Sequence, residues 1–382
     1  MRMVVLGAGL QGSACAFDLL RNEAVERVVV ADLAVDEPPA FLAEKQGDPR
    51  LELRTLDARD DDAVLDLLRG SDAVLNALPY YLNLDITRLA VEAGVHYADL
   101  GGNTDIVFEQ MKLDEQARER GVSVVPDTGL APGMVNILAA AGIAELDHAE
   151  SVKLFVGGLP QQPEGPLNYQ VVYSLAGVLD YYTSSSWIVR DGHRQNVEAL
   201  SEVETVSFGD GIGQLEAFHT AGGLSTMPWD YEDIPNMEYK TLRYPGHAHI
   251  VRAMRELGLF DLEPVQVGDV RVAPRDVFIA TAGPRLTRPE GRDLVALRVE
   301  VSGTRGGAPG KVVYDLLDYR NDDTGVSAME RTTGYTLSIT GQLQVAGRTT
   351  GPGVKPAHLA LPLEPYLAEL GKRNIRIQRR TL

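Results

Sequence analysis

Residues 1–22 read MRMVVLGAGLQGSACAFDLLRN, and the fold turns on them. Residues 1–6 are a short apolar run of the kind that forms a buried parallel strand. Gly7-Ala8-Gly9-Leu10-Gln11-Gly12 follows at once, and residues 13–22 then suit a helix. Strand, G-x-G-x-x-G, helix is the context that makes a common hexapeptide a dinucleotide-binding turn. Gly7 permits the tight turn, Gly9 lets backbone approach a pyrophosphate, and Gly12 lets the helix pack on the strand. The helix N-terminus adds unpaired N–H groups and a positive dipole end. A second apolar run, residues 27–31, ends in Asp32, 20 residues past Gly12. A carboxylate at that distance bonds the adenosine ribose hydroxyls and repels a 2′-phosphate, so the pattern predicts NAD rather than NADP. The bland alternative is an ordinary strand-turn-helix without nucleotide, which leaves the three glycines and the acid without a shared cause.

The same rhythm continues. Residues 51–56, 72–78, 95–100 and 122–126 read as strands, and residues 60–68, 82–93 and 106–120 as the helices between them. Six strands with crossover helices predict an α/β, Rossmann-type doubly wound parallel sheet. Ligands of such sheets lie beyond the carboxyl ends of the strands. Here those ends carry Gly7–Gly12, Asp32, Asp57, the turn Asn76-Ala77-Leu78, the segment from Asp99 through Gly101, and the loop from Asp127 through Gly129, Ala131 and Pro132. The expected cofactor contacts are therefore Gly7, Gly9, Leu10, Gln11, Gly12, Asp32, Asp57, Asn76, Ala77, Leu78, Gly101, Gly129, Ala131 and Pro132. For Asp57, a turn-capping role and an adenine-side contact are both open.

Size and composition set the outer limits. A chain of 382 residues suggests more than one domain, and 44% apolar content supplies packed cores. Against 36 Lys and Arg stand 54 Asp and Glu, a formal charge of −18. That charge disfavours nucleic acid or an anionic membrane as partner. The single cysteine, Cys15, excludes an internal disulfide and reads as a core residue. No apolar stretch reaches membrane-spanning length, and the first strand leaves no room for a signal peptide, so a cytoplasmic protein is expected.

Beyond residue 135 the pattern changes. Residues 134–146 form a very apolar helix, residues 151–157 a strand, and residues 186–318 favour strands and hairpins. Residues 293–301 alternate apolar and polar and turn back into 311–317, the mark of a mainly antiparallel sheet with one solvated face. Residues 326–343 return to helix, and a last helix covers 362–373. The expected domains are 1–135 for the nucleotide, 136–345 for substrate in an α+β domain, and 346–382 packing back on the first. A sheet with a free face makes a homodimer or larger homo-oligomer the expected assembly.

Three neighbouring segments of the second domain hold the candidate chemistry: EAFHTAGG from Glu216, EYKTLRY from Glu238 and PGH from Pro245. In a strand, Tyr239, Thr241 and Arg243 share one face and Lys240 takes the other. Taken singly, these are also what a solvated strand would show, and His219 and His247 read equally well as structural histidines. Trp187 and Trp229 read as packing residues. No spacing suggests a metal site, and no nucleophile motif suggests acyl transfer.

Several phrases together make the chain resemble the saccharopine dehydrogenase family, within it the lysine 6-dehydrogenases most. They are VLGAGLQGSACAFDL from Val5, NALPYY from Asn76, YADLGGNTD from Tyr97, PDTGLAPGMVNILA from Pro126, EAFHTAGGLSTM from Glu216, EYKTLRYPGH from Glu238 and ERTTGYT from Glu330. The resemblance implies a substrate domain inserted after the sixth strand. It implies oxidative deamination of L-lysine at its ε-carbon, with NAD taking the hydride and the semialdehyde cyclising. On that reading Arg243 takes the carboxylate, with Thr241, Thr220 and Tyr80 also on the substrate. Asp99 orients the reacting amine, Lys240 is the base, and Tyr239 and His219 compete for proton transfer. A saccharopine-type imine-reducing enzyme is the alternative, its extra carboxylates met by Arg190, Arg194 and Arg252. A non-catalytic NAD-binding protein is the third possibility.

Overall fold

The computed structural model describes residues 1–209, 211–288 and 291–382. Its first sheet is built from β1 (Arg2–Leu6), β2 (Arg27–Asp32), β3 (Leu51–Thr55), β4 (Ala73–Asn76), β5 (His96–Asp99) and β6 (Ser123–Val125). All pairings are parallel, and the order runs β6-β5-β4-β1-β2-β3. Sequence order reverses between β1 and β4, which opens the crevice where such sheets take ligand. The apolar residues of β1 and β4 are wholly buried because crossover helices cover both faces. A seventh strand absent from the sequence reading, Gly353–Val354, joins beside β6. Two residues are too few for periodicity to show.

The second sheet contains β7 (His148–Pro160), β8 (Ser186–Arg190), β9 (His193–Val197), β10 (Glu204–Phe208), β11 (Gly213–His219) and β12 (Asn236–Arg243). It runs β10-β11-β12-β7, continues through Asp293–Arg305 and Ala308–Tyr319, and ends at Gln378–Thr381. Its pairings are antiparallel except β12 with β7, which is parallel. The sheet is therefore mixed but mainly antiparallel.

Helices interrupt the stretch read as strands: Met227–Asp230, His247–Glu256 and Pro274–Leu286. The last begins with proline at its first position, where the missing N–H costs nothing. The single helix expected over 106–120 is two, Thr104–Met111 and Asp114–Glu119. Asp114 holds the break, accepting from Val354 N at 2.9 Å and pairing with Arg118 at 2.8 Å.

The Ala328–Val345 helix ties the two sheets together. Ser327 and Glu330 close a capping box at its start. It lies against the Leu10–Leu20 helix so closely that a Cβ on Gly334 would stand 2.6 Å from the Gln11 carbonyl oxygen. Ser338 donates to Asp18 at 2.7 Å, and Arg373 pairs with the same carboxylate at 2.8 Å. Gln344 donates to the Tyr97 carbonyl at 2.8 Å. The chain thus returns to the nucleotide sheet by way of buried polar contacts. Among the described residues, no helix is long and apolar enough to cross a membrane.

Candidate active site

At the first strand tip, Gly7 has φ +101°, and a Cβ there would stand 3.0 Å from the Ala77 backbone. At Gly12 a Cβ would meet the Gly7 oxygen at 1.9 Å. Gly9 differs: a Cβ there meets nothing within 4 Å. Protein packing therefore does not require glycine at position 9. What its missing side chain leaves is clear space over a helix N-terminus with no side-chain cap. Open space and uncapped N–H groups fit a dinucleotide's phosphates. Asp32, at the tip of β2, accepts from Ala8 N at 2.7 Å, so the loop itself orients this carboxylate. Leu10, in the same glycine turn, is exposed.

Two of the expected cofactor contacts are otherwise engaged. Asp57 accepts from Arg59 N at 3.0 Å, closing the turn that one of its two expected roles describes. Asn76 is fully buried; its Nδ2 donates to Asn83 at 3.0 Å and to Tyr97 at 3.1 Å, and its Oδ1 accepts from Leu78 N. Its side chain shapes the Ala77–Leu78 turn, whose backbone abuts Gly7, and is not itself available to the cofactor.

Asp99 corrects a catalytic expectation in the same way. It is fully buried, and its carboxylate accepts from Gly101 N at 2.7 Å, Asp127 N at 3.1 Å and Gln110 Nε2 at 2.7 Å. Burial pushes its pKa up while these bonds pull it back. It supports the Gly101 loop and lines neither of the chambers described below, so it does not face an amine held there. Asp127, given no role by the sequence reading, is the less satisfied acid. It has φ +58°, accepts from Ser225 across the domain boundary, and leaves Oδ1 buried without a partner. Burial first, then the Asp99 charge, raises its pKa to about 7.

Between the domains lies a cavity of about 190 Å³. The nucleotide side supplies Gln11, Gly101, Gly129, Ala131 and Pro132; the facing sheet supplies Tyr239, Thr241, Arg243 and Thr220, with Tyr182 over them. Thr220 and Thr241 share a hydrogen bond of 2.7 Å. Arg243 is 4% exposed and stacks on Tyr169, with the guanidinium carbon 4.9 Å from the ring centre. Its Nε donates to Tyr182 Oη at 3.2 Å, and its Nη1 to the Leu242 carbonyl at 2.9 Å. Tyr182 in turn meets His247 Nε2 at 3.0 Å, and His247 Nδ1 faces the Leu167 carbonyl at 3.1 Å. Burial, then the Arg243 charge, lowers the His247 pKa to about 3. The ring is therefore neutral: Nδ1–H donates to Leu167, and Nε2 accepts from Tyr182. His247 fixes Tyr182, and Tyr182 fixes the guanidinium.

A second chamber of about 290 Å³ adjoins this one, sharing Gly101, Tyr181 and Ala221. Tyr80, Asp105, Asp180 and Trp187 line it. Tyr80 thus stands one chamber out from Arg243. Trp187 also packs edge-on against Trp229, 5.4 Å between centres.

Lys240 and His219 lie on the other side of β12. Lys240 Nζ donates to Glu204 at 2.6 Å and to the Glu202 carbonyl at 2.9 Å. His219 sits between the Tyr239 carbonyl at 3.2 Å and Glu202 at 3.3 Å. Neither lines the cavity, so the base role expected of Lys240 and the proton transfer expected of His219 are corrected. Strand alternation is the cause: with Tyr239, Thr241 and Arg243 facing the cavity, Lys240 faces away. Arg190, Arg194 and Arg252 are also engaged elsewhere, with Glu202, Glu232 and Glu256.

Residues 3–125 match the saccharopine dehydrogenase NADP-binding domain, and residues 129–375 match the saccharopine dehydrogenase C-terminal domain. The chain belongs to the saccharopine dehydrogenase family. Among curated members, saccharopine dehydrogenase [NADP(+), L-glutamate-forming] of Saccharomyces cerevisiae is 25% identical over 312 residues, 77% of this chain and 66% of that protein. Carboxyaminopropylagmatine dehydrogenase of Synechocystis is 20% identical over 393 residues, 98% of this chain and 96% of the relative. The matched part spans 66%, 48% and 28% of the first three curated relatives, less than two thirds of each. The apo structure of the yeast saccharopine dehydrogenase shares the fold, with TM-score 0.80 at 20% identity, covering 100% of this chain and 99% of that one.

Proposed function

We propose that this family member is an NAD-dependent oxidoreductase that removes hydride from an amine-bearing carbon, with L-lysine, oxidised at its ε-carbon, as substrate. One observation carries the choice of substrate. Among the described residues lining the two chambers, Arg243 is the sole cation. A buried guanidinium without a carboxylate partner is a seat for one carboxylate. Saccharopine brings further carboxylates, and the arginines available for them are paired elsewhere.

The chain's own residues then have separable tasks. Arg243 anchors the α-carboxylate, and the hydroxyls of Thr220 and Thr241 bond the same end. That directs the ε-carbon toward the side lined by Gln11, Gly101 and Gly129. When bound there, nicotinamide accepts the hydride, leaving an iminium that water hydrolyses to semialdehyde and ammonium. Hydride leaves only from the neutral amine, so the ammonium proton departs first. The inner cavity has no carboxylate or imidazole among its lining residues to take that proton. Burial raises the Tyr239 pKa, so its phenol keeps its own proton and orients the amine. The ammonium proton therefore passes to water in the adjoining chamber. Asp32, held by Ala8 N at the end of β2, supports NAD over NADP, because a carboxylate at that strand end repels a 2′-phosphate. The arginines at the neighbouring strand, Arg54 and Arg59, are each beside a carboxylate, Glu52 and Asp57.

A second reading has its own support: reductive condensation of a carbonyl compound with a cationic amine. The outer chamber's charged lining residues are both acids; Asp180 is paired with Arg275 at 2.7 Å, which leaves Asp105 to suit an amine tail. A third possibility is NAD binding without turnover. Mixing the protein with NAD and lysine, then with NAD and saccharopine, and following NADH absorbance tests all three. Reduction with lysine supports the first; reduction with saccharopine alone overturns it. NADH bound without reduction by either leaves a non-catalytic binder or a condensing enzyme.

A further inference from the structure

Gln11 is the last variable residue of the glycine turn, in the first turn of the Leu10–Leu20 helix. Its backbone is wedged against Gly334 of the returning helix. Gln11 is among the residues that line the inner cavity, with Gly101, Gly129 and Thr333. Both amide atoms, Oε1 and Nε2, are buried, and neither has a hydrogen-bond partner. A buried amide with donor and acceptor both open is uncommon and marks a place where a bound group completes the bonding.

The chemistry of that amide narrows what the group is. A diphosphate offers acceptors only, so it would pair Nε2 and leave Oε1 bare. A substrate ammonium offers donors only and would leave Nε2 bare. A primary carboxamide offers one of each in the same plane, so two amides pair by two reciprocal bonds. We propose that the Gln11 side chain holds the nicotinamide carboxamide in this way. The inference rests on the NAD reading above. It makes Gln11 a contact of the reactive half of the cofactor, distinct from the backbone contacts of the glycine turn.

Binding measurements test it without turnover. By calorimetry, wild type and Gln11→Leu are titrated with NADH, ADP-ribose and the reduced 3-acetylpyridine dinucleotide. The last keeps the carbonyl but lacks the amide N–H. Gln11→Leu is expected to weaken NADH about tenfold, the loss of one to two net hydrogen bonds, and to leave ADP-ribose unchanged. Wild type is expected to prefer NADH over the acetylpyridine analogue, and the variant to lose that preference. Equal weakening of ADP-ribose overturns the proposal in favour of a sugar contact, and unchanged NADH binding overturns it outright. If Gln11→Leu does not fold, the wild-type comparison of the two dinucleotides decides: no preference overturns the contact. If wild type binds none of the three, the NAD reading itself fails, which is a different result.

Discussion

The two faces of β12 differ in one respect that separates structure from function. On the outer face, Lys153 meets Glu238 at 2.9 Å, Lys240 meets Glu204 at 2.6 Å, and Arg190 meets Glu202 at 2.7 Å. Three cations answer three carboxylates. On the inner face, Arg243 is buried with only neutral partners. A buried charge normally has a counter-charge, so one without it indicates a ligand that supplies it. The outer face is the more crowded with ionisable groups. Glu202, His219 and Glu238 even approach one another as metal ligands would. Both of those carboxylates already carry a cation, however, and the cluster is complete as it stands.

The largest effect is expected of Arg243→Ala. The lost pairing with a substrate carboxylate is about 3 kcal/mol, so KM for lysine should rise on the order of 100-fold while NADH affinity holds. Arg243→Lys should restore little of this, because a point charge does not replace the planar fork. An unchanged KM in a folded variant removes the carboxylate seat, and with it the contrast between the faces. Tyr182→Phe is the next step down. It takes away the oxygen to which Arg243 Nε donates and leaves His247 Nε2 without a donor. Misplacing the guanidinium by this route should cost about 1 kcal/mol, a several-fold rise in KM with kcat nearly constant. A fall in kcat with KM constant would instead place Tyr182 in the chemical step.

Much of the scaffold was legible because it is repetitive. Strand tips ending in glycine or acid recur along the first 133 residues, and the alternation of Tyr239, Thr241 and Arg243 was correct from period alone. What escaped the sequence lies in contacts distant along the chain. That Asp99 is spent on Gly101, Gln110 and Asp127, or that Asn76 is spent on Tyr97, follows from how strand tips pack together. Lys240 misled because a scarce residue type beside candidate site residues invites a role, whereas the period-two rule already turned it away. Asp127 had one available signal: it followed β6 just as Asp32 ended β2. Nothing local shows that one oxygen of it is left without a partner.

Asp127 gives an expectation read in stability rather than rate. Its pKa rises from 3.8 to about 7 on folding, so the folded state holds the extra proton between those values. The stabilisation it provides is complete below pH 3.8 and is lost as pH climbs through about 7. Asp127→Asn has no such proton to lose and keeps an acceptor for Ser225. Melting temperature against pH should therefore fall more steeply for wild type than for the variant between pH 4 and 8. Parallel curves would show that this inner carboxyl is as well satisfied as the outer ones.

The smallest effect on turnover is expected on the outer face of β12. Lys240→Met removes the one lysine in the EYKTLR segment but touches nothing in the cavity. Both kcat and KM for lysine should stay within about twofold, because hydride transfer depends on groups that face the other way. The loss should appear in the melting temperature. Glu204 would lose its cation while Glu238 keeps Lys153, a cost of about 1 kcal/mol given that Glu204 is partly solvated. If Lys240→Met instead abolishes turnover in a folded protein that still binds NADH, the outer face is doing chemistry. Strand alternation would then have been read in the wrong direction, and the unpaired guanidinium inside would need another explanation.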